Sequence, residues 1–142
     1  MVKRHTLIEN IKPEPHTYLV TIGTDLGQFT GTTVCREEDW LHENEIFGFT
    51  LAEIKAEIEY AKAKKRVFNA QLKALTEFWR DLSDTRSYNM HDFWVKQMRI
   101  KINDIAWQRD YWTTRIKNLK IKYHDCITTR DIALAKIKDR LN

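Results

Sequence analysis

Beyond residue 48 this chain of 142 residues contains neither glycine nor proline. Glycine supplies positive φ and proline removes a backbone donor, so the stretch from Phe49 to Asn142 lacks the usual means of reversing direction sharply. A turn-rich head followed by a helical body is implied. Cysteine is also scarce: Cys35 and Cys126 fall in no CxxC or zinc spacing, and nothing secretory favours a disulfide, so a reducing, cytoplasmic setting is expected. No apolar run approaches the roughly 18 residues of a membrane span, and the charged N-terminus lacks the apolar core of a signal peptide. GxxxxGK[ST], GxGxxG and GxSxG are all absent, and no histidine has an HxxxH or HExxH partner, which removes the common phosphate-cradling, hydrolase and zinc readings. Glu53-Ile-Lys55 has the form of a nuclease ExK element but falls in a helix, and His124-Asp125-Cys126 would point in different directions on one. No catalytic residue, metal ligand or cofactor is expected, and the protein is read as a non-enzyme in one domain, with a head over residues 1–49 and a body over 50–142.

What the first 48 residues do contain is strand chemistry. Residues 16–22 and 28–35 are rich in β-branched and aromatic types, with Gly23, Asp25 and Gly27 between them as turn formers, which predicts a β-hairpin. Two strands alone are marginal, so the hairpin must lie on the helices or on a third strand. An acidic connection follows, carrying Glu37, Glu38, Asp39, Glu43 and Glu45. The net charge of +4 hides a gradient: residues 1–50 hold four Lys/Arg against eight Asp/Glu, and residues 90–142 hold twelve against six. Such polarity can steer an acidic partner to one end of the chain, and it can equally pair heads with tails in a self-assembly.

Three helix starts show a polar cap, an acid three residues on and an apolar staple: Phe49/Thr50/Glu53/Ile54, Tyr88/Asn89/Asp92/Phe93 and Ile127/Thr128/Asp131/Ile132. They predict helices near 51–83, 90–125 and 129–141. In the first, apolar residues recur in steps of three and four from Leu51 to Leu82; in the second, from Val95 to Tyr123. Those are coiled-coil seams, and the short loop between them predicts an antiparallel helical hairpin. The fold class expected is therefore α+β, mostly α: a β-hairpin packed on a coiled-coil-like helical hairpin, with a third C-terminal helix.

The second predicted helix also carries Phe93, Ile100, Trp107 and Ile121 at multiples of seven opposite its seam. A helix apolar on two faces must be covered twice, and the second cover is expected from the chain's own hairpin or third helix, or else from another chain. Ala56, Ala63 and Ala70 form a small-residue stripe on the first helix suited to close approach, and a homodimer with a four-helix body, which would use both, is expected. Trp94, Trp107 and Tyr111 are the candidate anchors for a protein partner, and Glu37, Glu38 and Asp39 are candidate contacts able to imitate phosphate charge. Lys65 and Arg109 interrupt the two seams in nearly the same layer and form a candidate anion site. Basic residues crowd the last third, so nucleic-acid binding is an alternative, although Asp104, Asp110, Asp125, Asp131 and Asp139 are interspersed. A structural assembly component is the third class.

The segment Phe29-Thr-Gly-Thr-Thr-Val-Cys-Arg-Glu-Glu-Asp39, leading through Gly48-Phe-Thr-Leu-Ala-Glu-Ile-Lys-Ala-Glu-Ile58, resembles small phage-encoded proteins of unknown function. In these a hairpin ending in Gly-x-x-x-Cys-x-x-x-Asp hands over to a long helix. The resemblance fixes no activity. It implies a viral setting, in which such proteins act by occluding a host machine such as a nuclease or defence complex.

Overall fold

A two-residue period in a stretch rich in β-branched residues makes Thr17–Thr24 (β2) the centre of a three-stranded antiparallel sheet, ordered β1-β2-β3, with Thr6–Ile11 as β1 and Gly27–Val34 as β3. The computed structural model describes residues 5–84 and 91–141. Tyr18, Val20 and Ile22 project from the inner face of β2 and are buried. Their register partners on β3 are Thr33, Gly31 and Phe29. The expected hairpin is thus present, and the third strand is β1, whose six residues are all exposed. The segment Pro13 to His16, with His16 at a φ of 65°, returns the chain from β1 to β2.

A 3-10 turn, Glu37–His42, leads to helix α1, Glu45–Asp84, and helix α2 runs from His91 to Leu141. The α+β, mostly α class holds, with two corrections to the helix boundaries. α1 begins six residues before the expected start, because Asn44 rather than Thr50 caps it: the Ile46 amide donates to Asn44 Oδ1 at 2.9 Å. Gly48 therefore lies inside the first turns of α1, where a Cβ would stand 2.6 Å from ring atoms of Tyr18. The expected third helix is the continuation of α2. Its Thr128 cap is overridden because the seam does not stop at Tyr123: Cys126, Arg130, Leu134 and Ile137 continue the spacing on the covered side, while Ile132 is exposed. The cap expected at Tyr88 and Asn89 lies outside the described residues.

Two compact units result, and the division between them crosses both helices. One comprises residues 1–61 with 116–142, the other residues 62–115. In the first, α1 lies across the inner face of the sheet. The absence of a side chain at Gly31 admits the α1 backbone at Ala52 and Ala56. Ala56, expected on a free small-residue stripe, is instead buried here. The Thr33 hydroxyl donates to the Gly48 carbonyl at 2.7 Å, Lys55 Nζ to the Thr32 carbonyl at 3.1 Å, and the Tyr60 hydroxyl to Asp25 at 2.6 Å. Lys55 also stands 5.7 Å from the Tyr123 ring of α2. In the second unit Lys64 stands 5.7 Å from the ring of Trp112. Position numbers fall on one helix as they rise on the other, the antiparallel sense. Along α2, Met98, Ile105, Trp112 and Leu119 are buried at intervals of seven, as a seam demands. Among the described residues, no helix is long and apolar enough to cross a membrane.

Candidate protein-interaction surface

The outward stripe of α2 stays uncovered. Phe93 is 60% exposed, Ile100 56%, Trp107 68% and Ile121 50%. Among the described residues, the segment expected to fold back as a third helix and cover this stripe is the continuation of α2 itself. Trp94, 38% exposed, adds to the display near Phe93.

Trp107 does not stand alone. One turn on, the Tyr111 ring stacks with it at 6.3 Å between centroids and 22° between planes, and Tyr111 in turn meets the buried Trp112 edge-on at 5.2 Å. Three rings on one helix thus lead from the seam to the surface, and Lys64 lies over both Trp112 and Phe68. Aromatic stacking of this kind is worth about 0.5–1.5 kcal/mol per pair beyond burial and restrains the exposed ring. Beside this ridge, Val95, Lys96, Arg99, Ile100 and Asn103 line a shallow groove. Residues 62–115 carry twelve Lys/Arg against six Asp/Glu. Along its crest the surface is apolar, and the groove beside it holds the cations Lys96 and Arg99.

The candidate anion site comprises Lys65 and Arg109. Arg109 is half-buried, and its Nε and Nη2 each lie 3.1 Å from Asp110 Oδ1, so its carboxylate partner is the neighbouring residue; Lys65 is half-buried on the facing seam.

The acidic connection separates into offered and engaged groups. Glu37 and Glu38 are exposed. Asp39 is buried, accepting from Lys138 Nζ at 3.0 Å and Arg36 Nε at 3.2 Å, which withdraws it from any partner. The Lys138 hydrogen bond holds its carboxyl below the usual range against the opposing effect of burial, with Arg36 assisting. Glu43 accepts hydrogen bonds from the Tyr18 hydroxyl and His16 Nδ1, with Lys12 Nζ at 3.5 Å. Burial pushes Glu43 up, yet those hydrogen bonds and the charges of His16 and Lys12 outweigh it, and the carboxyl is lowered. Burial and Glu43 together raise the Tyr18 phenol far above its ordinary value. The His16 ring stacks on Trp40 at 3.9 Å, and Trp40 donates its indole N–H to the Cys35 carbonyl. Tyr18, Cys35, Asp39 and Glu43 border a cavity of about 80 Å³ that is also lined by Phe47, Leu51, Arg130 and Leu134. Burial raises both thiols, so Cys35 and Cys126 stay protonated and weakly nucleophilic. The arrangement locks the connection onto the sheet and the end of α2.

One grouping of three metal-competent side chains exists among the described residues: His5, Glu53 and Glu57, with donor atoms all within 4.8 Å of one another. Sequence reasoning passed over it because His5 is 48 positions from Glu53 and has no partner at helical spacing. The i, i+4 carboxylates on α1 were its only local signal. Comparison with protein-family models, with curated proteins and with solved structures gave no match.

Proposed function

We propose that this protein is a non-enzymatic interaction module that docks a protein partner on the outward face of α2 between Phe93 and Tyr111. The observation that carries the reading is Trp107: two-thirds exposed, yet held in place by a ring stack anchored in the seam. Large rings at interface centres dominate binding energy, and an ordered one loses less entropy on docking. The cationic groove selects a partner with an acidic rim and an apolar socket. A second copy of the chain is the poorer fit, because two units of net charge +6 would meet face to face. Nucleic acid is also a poorer fit, since Phe93 and Ile100 offer aliphatic and edge contacts on a face where Asp104 and Asp110 interrupt the cations. Occlusion of a host nuclease or defence complex, the role suggested by the resemblance to phage proteins, is one form of this activity.

The test compares wild type with a Trp107→Ala, Ile100→Ser variant. Immobilised wild-type chain is used to isolate a partner, which is then purified and titrated against both proteins. Removal of a hot spot of 2 kcal/mol weakens binding about 30-fold. Equal affinity of the variant refutes the reading. So does a wild-type dimer by light scattering that the variant abolishes, or tight, steeply salt-dependent binding of duplex DNA or single-stranded RNA with no protein partner retained.

A further inference from the structure

We propose that His5, Glu53 and Glu57 form a binding site for one divalent first-row transition ion, with Zn²⁺ as its reference ligand. His5 Nε2 lies 3.4 Å from Glu53 Oε1 and 3.5 Å from Glu57 Oε1. Nε2 is within hydrogen-bond reach of Glu53, but a single ring nitrogen carries at most one proton for two carboxylates. The two distances also match a coordination edge, and all three donor atoms lie within 4.8 Å of one another. Metal–ligand bonds of about 2.0–2.2 Å at tetrahedral angles separate neighbouring donor atoms by roughly 1.6 bond lengths, or about 3.3–3.6 Å.

The donors come from two elements that the fold brings together. Glu53 and Glu57 are four apart on α1 and share a face. His5 immediately precedes β1 and meets that face from the sheet side. The Glu57 and His5 side chains are largely enclosed, at 12% and 21% exposure, and Glu53 is open at 40%. Three protein ligands with one open side leave a fourth position for water. One imidazole with two carboxylates suits zinc and its first-row neighbours. Calcium is a poor match, because it takes six to eight oxygens at 2.3–2.6 Å.

The site gives β1 a second attachment. That strand pairs with β2 alone, its register slips between Leu7 and Glu9, and all six of its residues are exposed. A metal bridging His5 to α1 would clip the sheet edge to the helix beneath it.

The experiment is calorimetric titration of the full chain, free of any oligohistidine tag, with ZnCl₂, alongside visible absorption of the Co²⁺ form. Expected are one saturable site per chain at micromolar protein and the intense visible bands of four-coordinate Co²⁺. His5→Ala and the near-isosteric Glu53→Gln should each weaken binding at least tenfold, while His16→Gln should leave it unchanged. Hydrogen exchange across Thr6–Ile11 should slow with Zn²⁺ in wild type and not in Glu53→Gln. The proposal is overturned if wild type shows no saturable site, if either ligand variant binds as tightly as wild type, or if His16→Gln removes the binding.

Discussion

Replacing Gly31 with alanine tests how α1 is seated on the sheet. A Cβ at this position would stand 2.7 Å from Ala56 N and 3.0 Å from the Ala52 carbonyl carbon, and closer still to the Ala52 oxygen. All three are backbone atoms, so no rotamer change can make room. Reaching an optimal separation near 3.5 Å requires strand and helix to part by roughly 0.8 Å or more, and a gap of about 0.5–1 Å forfeits a quarter to a half of each van der Waals contact across it. The contacts affected belong to Tyr18, Val20, Ile22, Ala52 and Ala56, which are among the most enclosed residues of the sheet unit. Overpacking of this kind typically costs about 1–3 kcal/mol, and backbone obstruction places Gly31→Ala at the upper end. Lower unfolded-state entropy returns about 0.4–1 kcal/mol, for a net loss of about 2 kcal/mol. With a urea slope of about 1–3 kcal/mol/M, the midpoint followed by far-UV circular dichroism should fall by roughly 1 M. Gly27→Ala is the control. It has open space around it but a φ of 110°, so its cost is backbone strain alone, about 1–2 kcal/mol. If Gly31→Ala proves within about 0.5 kcal/mol of wild type, the close approach of α1 to β3 is wrong.

Leu119→Ala should cost about 2–5 kcal/mol because the side chain is fully buried on the seam, whereas Ile121→Ala, two residues away on the exposed face, should stay within about 0.5 kcal/mol; thermal melts of both check the facing of α2. Asp39 and Glu43 are both held below their ordinary values of 3.8 and 4.5, so the stability they supply is complete above about pH 4.5 and is lost as the pH falls through their lowered folded values. Asp39→Asn and Glu43→Gln should therefore flatten the acid limb of a stability profile and each lower stability near pH 7 by about 1.5–3 kcal/mol, the worth of a hydrogen bond to a charged group. Asn44→Ala should cost about 1 kcal/mol as the loss of a true N-cap, while Thr50→Ala and Thr128→Ala, both inside helices, should show no capping loss.

Local chemistry made the hairpin and the two seams readable. Tyr18, Val20 and Ile22 recur at the two-residue period of a strand rich in β-branched residues, Gly27 accommodates the turn, and the three-four spacing of each helix depends on nothing distant. β1 escaped notice because an exposed edge strand needs no apolar alternation; it is specified by pairing with β2. Gly48 misled in the opposite way, since a residue that usually ends helices is tolerated here where a ring lies flat against it. The continuation of α2 was legible in Cys126, Arg130 and Leu134, but the Thr128 cap pattern competed with it. The aromatic ridge needed only positions within one helix. The ties of Glu43 to His16 and Tyr18, and of Glu53 to His5, join residues 25 to 48 positions apart, which no periodicity can foresee.

The link between Lys138 and Asp39 spans 99 positions and closes the unit that contains the sheet. On a ribosome, the strands and the 3-10 turn emerge early and must wait, with Asp39 still hydrated, until nearly the last turn of α2 has been made. Seating of the 3-10 turn thus depends on a residue 99 positions later, and it cannot be completed before α2 has formed as far as Lys138.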